Sequence, residues 1–162
     1  EKRAAFILRP HQPGDMGWII RRQTQLYASE FGWDGSFEAM LADIAGKFVA
    51  RFDPKRENCW IAERHGEIVG SVFLVAAGKA TGQLRMLYVE PSARGLGVGR
   101  RLVAECIEDA RAKGYRKLNL WTNDILVSAR KIYIAAGFRL MKQERHNSFG
   151  RKLVGQYWLL DL

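Results

Sequence analysis

Apolar positions in the first part of the chain recur at intervals of three and four, the spacing of one helix face. Residues 16–31 and 36–52 each carry such a stripe, which predicts two amphipathic helices. Asp15 is expected to be the N-cap of the first helix. Ile7–Arg9, directly before Pro10, predict a short opening strand. The chain therefore begins with the order β-α-α.

The pattern then changes to runs of apolar residues that are typical of strands. Residues 59–63 and 68–75 are such runs, and the link between them contains Gly66, which predicts a hairpin. A further strand is predicted over 83–89. Pro91 ends it, because proline cannot continue a central ladder.

Helix and strand alternate in the remainder of the chain. A helix is predicted after Arg101, with Gly114 as its C-terminal stop. A strand, a short helix and a closing strand pair follow, over 118–122, 128–136, 138–144 and 153–160. The complete order is β-α-α-β-β-β-α-β-α-β-β. It predicts a mixed α/β domain with a right-handed parallel crossover at its centre.

Length and composition are those of one globular domain, so 1–162 is treated as a single unit. Apolar residues make up 48% and charged residues 27% of the chain, which excludes a disordered or fibrous protein. No apolar run reaches the roughly 18 residues that a membrane span needs. Cys59 and Cys106 are too few for a disulfide framework or a metal cluster, so no metal and a cytoplasmic location are expected.

The formal net charge of +9 favours an anionic partner: a nucleic acid, an anionic membrane or a phosphate-bearing ligand. Improved solubility is the alternative explanation for the excess. Arg94, Arg100 and Arg101 cluster in one glycine-rich segment, whereas the other basic residues are dispersed along helices. A phosphate ligand explains that cluster. Direct nucleic-acid binding by this domain is not expected, because no recognition helix or exposed aromatic series accompanies the charge.

The glycine-rich segment 94–101 lies between a predicted strand and a predicted helix. Glycines allow close backbone approach, and the free N–H groups of a helix start favour phosphate. A Walker loop is excluded, since no Gly-Lys-Ser/Thr occurs. A dinucleotide fingerprint fits poorly, because Gly95, Gly97 and Gly99 stand at every second position and Asp124 is a weak ribose ligand. A pyrophosphate loop of the coenzyme A kind remains.

Three segments resemble the GNAT family of N-acetyltransferases. Residues 94–99 resemble its Gln/Arg-x-x-Gly-x-Gly/Ala motif, and 87–93 resemble the strand that ends in Val-x-Pro. A third match is to Ala-x-x-x-Tyr-x-x-x-Gly-Phe, at Ala129, Tyr133, Gly137 and Phe138. The resemblance implies the GNAT fold, an α/β architecture with a central mixed, twisted sheet of six to seven strands flanked by about four helices. It also implies an acetyl-CoA-dependent N-acetyltransferase that needs no metal.

The resemblance also implies which residues contact acetyl-CoA. Backbone groups of the strand would pair with the pantetheine arm, and the glycine-rich loop would bind the pyrophosphate. The family often has an asparagine three residues before the helix alanine, where this chain has Leu126. Either Asn123 takes its place or that contact is absent. The full implied set is Leu87, Tyr88, Val89, Arg94, Gly95, Leu96, Gly97, Val98, Gly99, Arg100 and Asn123.

The implied reaction is direct attack of a primary amine on the acetyl thioester. Tyr133 would be the general acid for the leaving thiolate, because a phenol with a pKa of about 10 is protonated at pH 7. A packed helix aromatic is the alternative role for Tyr133. An amine must first lose a proton, and Glu90 is the main candidate for the base, with Glu63 and His146 as alternatives.

The acceptor is either a small molecule or a protein amine, and Tyr27 and Glu30 are the candidates for its pocket. A covalent acetyl-cysteine is not expected. Cys106 lies on the apolar stripe of its helix, and Cys59 opens a strand without an activating partner.

The likeness is strongest to the acetyltransferase part of bacterial MarR–GNAT fusion proteins, on residues 8–18, 121–123 and 148–156. It implies that a winged-helix DNA-binding domain precedes this one in a longer regulator. The alternative function is therefore a non-catalytic acyl-CoA-binding sensor domain of a transcriptional regulator. Because family members often dimerise, a homodimer is a further expectation.

Overall fold

Seven strands form one mixed sheet with helices on both faces in the computed structural model, which describes residues 5–162. The predicted order of elements is confirmed. In chain order they are β1 (Ile7–Pro10), α1 (Asp15–Phe31), α2 (Gly35–Arg51), β2 (Asn58–Arg64), β3 (Glu67–Ala76), β4 (Thr81–Val89), α3 (Val98–Ala112), β5 (Lys117–Asn123), α4 (Val127–Ala136), β6 (Arg139–Ser148) and β7 (Arg151–Asp161).

The strands lie in the order β1-β2-β3-β4-β5-β7-β6, and every neighbouring pair is antiparallel except β4 and β5. That parallel pair is short: Thr81–Gln83 pair with Lys117–Asn119. Beyond it, β4 continues to Val89 and β5 continues to Asn123, but the two strands no longer pair with each other. The two strands therefore diverge, and the sheet has an opening between them, which we call the β4–β5 opening.

A bulge in β4 lies next to this opening. The register with β3 shifts between Ser71 and Phe73, and Met86 has a φ of 53°, a left-handed conformation that is uncommon outside glycine. Past the bulge, the N–H of Glu90 donates to the Val69 carbonyl of β3. Alternation along the strand then directs the backbone groups of Val89 toward the opening.

Separate cores fill the two faces of the sheet. The larger core joins α3 and α4 to the sheet and contains Leu102, Leu118 and Tyr133. On the other face, α1 and α2 cover two smaller clusters centred on Phe73 and Trp33. None of the helices in the described part of the chain combines the length and hydropathy needed to cross a bilayer.

Glycines let the start of α3 approach the sheet closely. A Cβ on Gly70 would lie 2.8 Å from the Tyr88 carbonyl oxygen and 3.0 Å from Val98. A Cβ on Gly99 would lie 2.7 Å from Ile132 of α4. The N-terminus of α3 is thus held beside the end of β4.

Two details differ from the expectations. Gly14, with φ at 96°, is the N-cap of α1, whereas Asp15 is the first helical residue and its buried carboxylate accepts from Arg9. The tertiary ion pair outweighs local capping here. In addition, β6 extends to Ser148, so His146 lies within a strand and not ahead of a loop.

Candidate active site

The glycine-rich loop presents open backbone at the start of α3. Gly95 and Gly97 have φ values of 82° and 81°, and nothing lies within 4 Å of a Cβ placed on either one. Gly97 is the N-cap of α3, and the first intrahelical bond runs from the Arg101 N–H to the Gly97 carbonyl. The N–H groups of 98–100 precede that bond and have no carbonyl partner in the helix. Together with the helix dipole they form an anion site.

Side chains of the loop divide between the core and the solvent. Val98 is buried and Leu96 packs against the larger core, so both anchor the loop. Arg100 is exposed. Arg94 is exposed as well and forms an ion pair of 3.0 Å with Glu30 of α1. The structure therefore brings Glu30, expected in the acceptor pocket, to the phosphate loop.

The β4–β5 opening lies beside this loop. Leu87 and Val89 alternate with Tyr88 and Glu90, so their backbone groups point toward β5, which has diverged. An extended ligand can use these groups as a strand would. The side chain of Tyr88 is turned the other way, where it is fully buried against Trp18 at 6.0 Å between ring centroids. The backbone groups of Tyr88 face β3, so neither its side chain nor its backbone faces the opening.

Two phenols among the candidate residues lie in different cores, Tyr133 in the larger core and Tyr27 beside the cluster of Trp33. Tyr133 of α4 is buried, and its burial raises the pKa of the hydroxyl, with a smaller contribution from Tyr27 of α1. Burial, with a contribution from Glu30, raises the pKa of Tyr27 to about 12. Both phenols are therefore protonated at neutral pH.

Glu90 is engaged in an ion pair. The Arg22 guanidinium donates to both carboxylate oxygens, at 2.6 Å and 3.0 Å, and Glu90 is only 8% exposed. A bidentate pair of this kind engages both carboxylate oxygens with the guanidinium. The geometry argues against Glu90 as the base.

Glu63 lies away from the opening. It is on β2, two strands from β4, and accepts a 2.6 Å hydrogen bond from Arg9. Its carboxylate belongs to a network with Asp15 at the start of α1. Glu63 is therefore not part of the candidate site.

His146 is held by two hydrogen bonds. Its Nε2 lies 2.9 Å from Oδ1 of Asn123, and its Nδ1 lies 2.8 Å from Oγ of Ser148. The imidazole crosses over Gly155 of β7, where a Cβ would lie 3.3 Å from the ring. His146 thus reaches from β6 to the end of β5. Sequence reasoning missed Ser148 and Gly155, although the two-residue period of a strand places 146 and 148 on one face.

An aromatic cluster packs against Phe149, in the turn between β6 and β7. Rings of Tyr27 and Trp33 are 5.2 Å apart, and those of Trp33 and Phe149 are 4.8 Å apart. The N–H of Asp34 donates to the Phe149 carbonyl, which fixes the β6–β7 turn against the start of α2. Ser148, next to Phe149, is thereby held near the cluster that contains Tyr27.

The cysteines have no part in this geometry. Cys59 and Cys106 are fully buried, and burial raises the pKa of both thiols. A buried thiol of raised pKa is a poor nucleophile. Within residues 5–162, no group of three or more His, Cys, Asp or Glu side chains is placed to hold a metal ion.

Fold and site together are those of a protein that binds a phosphate-bearing ligand with an extended arm, since an anion loop at a helix start lies beside an open sheet edge. The chain belongs to the acetyltransferase (GNAT) family, which it matches over residues 20–138. It therefore has the GNAT fold predicted from the sequence and is an acetyltransferase by class.

Similar proteins agree with this placement. The chain is 31% identical to an uncharacterized N-acetyltransferase of Schizosaccharomyces pombe, over 76% of each chain. It is 32% identical to a mycothiol acetyltransferase of Beutenbergia cavernae over 54% of this chain, but it spans only 29% of that protein. A Salmonella typhimurium structure with its cofactor acetyl-CoA superposes with a TM-score of 0.75 at 18% identity, covering 97% of this chain and 94% of the other.

Proposed function

We propose that this protein is an acetyl-CoA-dependent N-acetyltransferase that acetylates a primary amine by direct attack, with Tyr133 as general acid. The observation that carries the proposal is the open anion loop of 94–100 beside the β4–β5 opening. The acceptor is a small-molecule or protein amine, and the reaction is cytoplasmic. Fusion to an upstream winged-helix domain and homodimerisation are further parts of the proposal.

The loop fits a pyrophosphate. Gly95 and Gly97 leave the backbone uncovered, and the free N–H groups of 98–100 are donors. Arg100 adds positive charge at the same place, and Arg94 is within reach once it leaves Glu30. Because that ion pair is exposed, the exchange of a carboxylate for a phosphate costs little.

The β4–β5 opening fits an extended, amide-containing arm. The backbone groups of Leu87 and Val89 are the ladder positions that β5 leaves free. A backbone N–H at this edge would also donate to the thioester carbonyl oxygen, where negative charge develops during attack. Asn123 stands at the end of β5, on the far side of the opening.

Tyr133 supports the departure of the thiolate. Its pKa is raised by burial, so the hydroxyl is protonated at neutral pH and has a hydrogen to donate. The thiolate takes that proton as the carbon–sulfur bond breaks. A proton from the attacking amine nitrogen then returns to the Tyr133 oxygen as the new amide forms.

A thermal melt with acetyl-CoA tests the binding part of the proposal, with NAD and ATP as controls. At 100 times its Kd the ligand adds about 2.7 kcal/mol, a rise in Tm of very roughly 5–10 °C for a domain of this size. Arg94→Ala should weaken acetyl-CoA binding about 10-fold. The matched variant Arg111→Ala, at the other end of α3, should not. Equal shifts with all three nucleotides would contradict the assignment.

Release of free thiol from acetyl-CoA, measured across a panel of polyamines, amino acids and peptides with free N-termini, tests the chemistry. Tyr133→Phe should lower kcat by about 10²-fold and leave the KM for acetyl-CoA unchanged. The control is Tyr157→Phe on β7. A selective Tm rise without turnover of any amine would favour the non-catalytic acyl-CoA sensor instead.

A further inference from the structure

We propose that Ser148 and His146 form a proton relay that removes the proton from the acceptor ammonium, with Asn123 as the positioning residue. The inference rests on the proposed function and supplies the base that neither Glu90 nor Glu63 can provide. The observation behind it is the continuous chain of hydrogen bonds from Ser148 Oγ through the imidazole to Asn123 Oδ1.

The backbone of three strands builds this chain. His146 and Ser148 lie on the same face of β6 because they are two residues apart. Asn123 of β5 pairs with Gly155 of β7, and Gly155 pairs with Glu144 of β6. Gly155 leaves room for the imidazole to cross β7: a Cβ there would lie at a tight 3.3 Å from both Cδ2 and Nε2 of the ring.

The relay joins the end of β5 to the end of β6. At one end, Asn123 stands where β5 has diverged from β4. At the other end, Ser148 precedes Phe149, whose ring packs on Trp33 in the aromatic cluster with Tyr27. A cavity of about 490 Å³ lined by 145–147 and 152–154 reaches the imidazole from outside.

The hydrogen bonds assign the proton positions. Oδ1 of Asn123 is an acceptor only, so Nε2 of His146 carries a hydrogen. In the neutral ring, Nδ1 then has the free lone pair and accepts the Ser148 hydroxyl hydrogen. The ring is thus held in the tautomer that can take a proton from Ser148.

Each proton has a defined destination. The acceptor ammonium gives one proton to Ser148 Oγ as the Ser148 hydroxyl proton moves to Nδ1 of His146. The product of this step is a neutral amine, an intact Ser148 and an imidazolium that donates to both Ser148 and Asn123. The amine forms its carbon–nitrogen bond, and the imidazolium later releases its proton to solvent.

Several charged groups lie on the elements around the relay. Arg145 and Lys152 line the same cavity. Glu144, two residues along β6, is paired with Lys142. On the side of α1 and α2, the Asp34 carboxylate lies by Gly150, and Arg151 donates to the Phe31 carbonyl.

The pH profile of kcat/KM tests the relay, using the amine with the highest turnover in the panel. Wild type should show an acid limb in this profile, because the relay needs a lone pair on Nδ1 of His146. His146→Gln should remove that limb and lower kcat/KM by about 10²-fold, with the KM for acetyl-CoA unchanged. His65→Gln, on the exposed β2–β3 turn, is the matched control and should keep the wild-type profile. An unchanged limb in His146→Gln overturns the relay.

Ser148 is tested by a pair of variants. Ser148→Ala should lower kcat/KM by about 10-fold or more, and Ser148→Thr, which keeps a hydroxyl, should restore most of it. Equal activity of the alanine variant and wild type overturns the role of Ser148. If wild type turns over no amine, the proposed function fails and the relay fails with it. If wild type turns over an amine and His146→Gln keeps the wild-type pH profile, only the relay is wrong.

Ring nitrogen chemical shifts give a measurement that does not depend on activity. In wild type at pH 8, the ¹⁵N spectrum should show His146 with its hydrogen on Nε2. Asn123→Ala should convert it to a mixture of tautomers, and the remaining spectrum reports whether the variant is folded. A wild-type ring with its hydrogen on Nδ1 would overturn the proton assignment.

Discussion

Gly97 and Gly99 stand two positions apart in one motif, yet they are glycine for different physical reasons. Gly97 has a left-handed φ of 81° and open space around it, which suits a backbone that must approach a ligand. Gly99 has no left-handed φ; a methyl group there would lie 2.7 Å from Cδ1 of Ile132 and 3.4 Å from Cγ2 of Val89. Its glycine is required by the contact of α3 with α4.

Gly99→Ala should therefore destabilise the fold by about 1–3 kcal/mol, because the added methyl overpacks the α3–α4 contact. Gly17→Ala is the matched control: Gly17 also lies inside a helix, but nothing is within 4 Å of its Cβ position. That substitution should stabilise the protein by about 0.5–1 kcal/mol. Urea unfolding measures both. Equal stabilities for the two variants would contradict the packing explanation.

At the scale of elements, one ion-pair network joins β1, α1 and β2. Arg9 of β1 donates to Asp15 at the start of α1 and to Glu63 of β2. Asp15 is only 7% exposed. Burial alone would raise the pKa of Asp15, but the hydrogen bonds from Arg9 and from the Gln12 N–H outweigh it and hold that pKa below its usual range.

Asp15→Ala should lower the free energy of unfolding by about 3 kcal/mol, since it leaves the buried Arg9 guanidinium with one partner fewer. Asp43→Ala removes the exposed pair with Lys47 and should cost less than about 0.5 kcal/mol. Chemical denaturation at pH 7 compares them. Because the folded pKa of Asp15 is lowered, its stabilisation is complete above the unfolded value of about 3.9 and is lost as the pH falls further. If the two variants lost similar free energies of unfolding, burial would not explain the contribution of the Arg9–Asp15 pair.

The elements themselves could be predicted from the sequence because each depends on local spacing. Apolar periodicity located both early helices, and the glycine-rich segment located the anion loop. The capping prediction for Asp15 was wrong because Gly14 is the N-cap, and the Asp15 carboxylate instead accepts from Arg9, six residues earlier, and from the Gln12 N–H. The engagement of Glu90 by Arg22 had no local signal either, since 68 residues separate the two.

At the scale of the whole molecule, the central sheet consists of two parts. Strands β1–β4 form one and β5, β7 and β6 the other, and their ladder hydrogen bonds meet only along Thr81–Gln83 and Lys117–Asn119. Periodicity cannot show where two neighbouring strands stop pairing, so the β4–β5 opening was not predicted; the family resemblance implied only that one strand pairs with the pantetheine arm. The contacts of His146 across β7 were beyond prediction for the same reason, as they depend on strand order.

This division of the sheet leaves an internal edge, whose backbone amides should behave like those of an outer strand. Along one short segment, the N–H of Glu90 is locked to Val69, while those of Leu87 and Val89 face the gap. Native-state hydrogen exchange should therefore alternate residue by residue in the middle of the protein, fast at 87 and 89 and slow at 88 and 90. A ligand that pairs with the amides of Leu87 and Val89 would abolish that alternation. Exchange rates along β4 therefore distinguish the free protein from the ligand-bound protein.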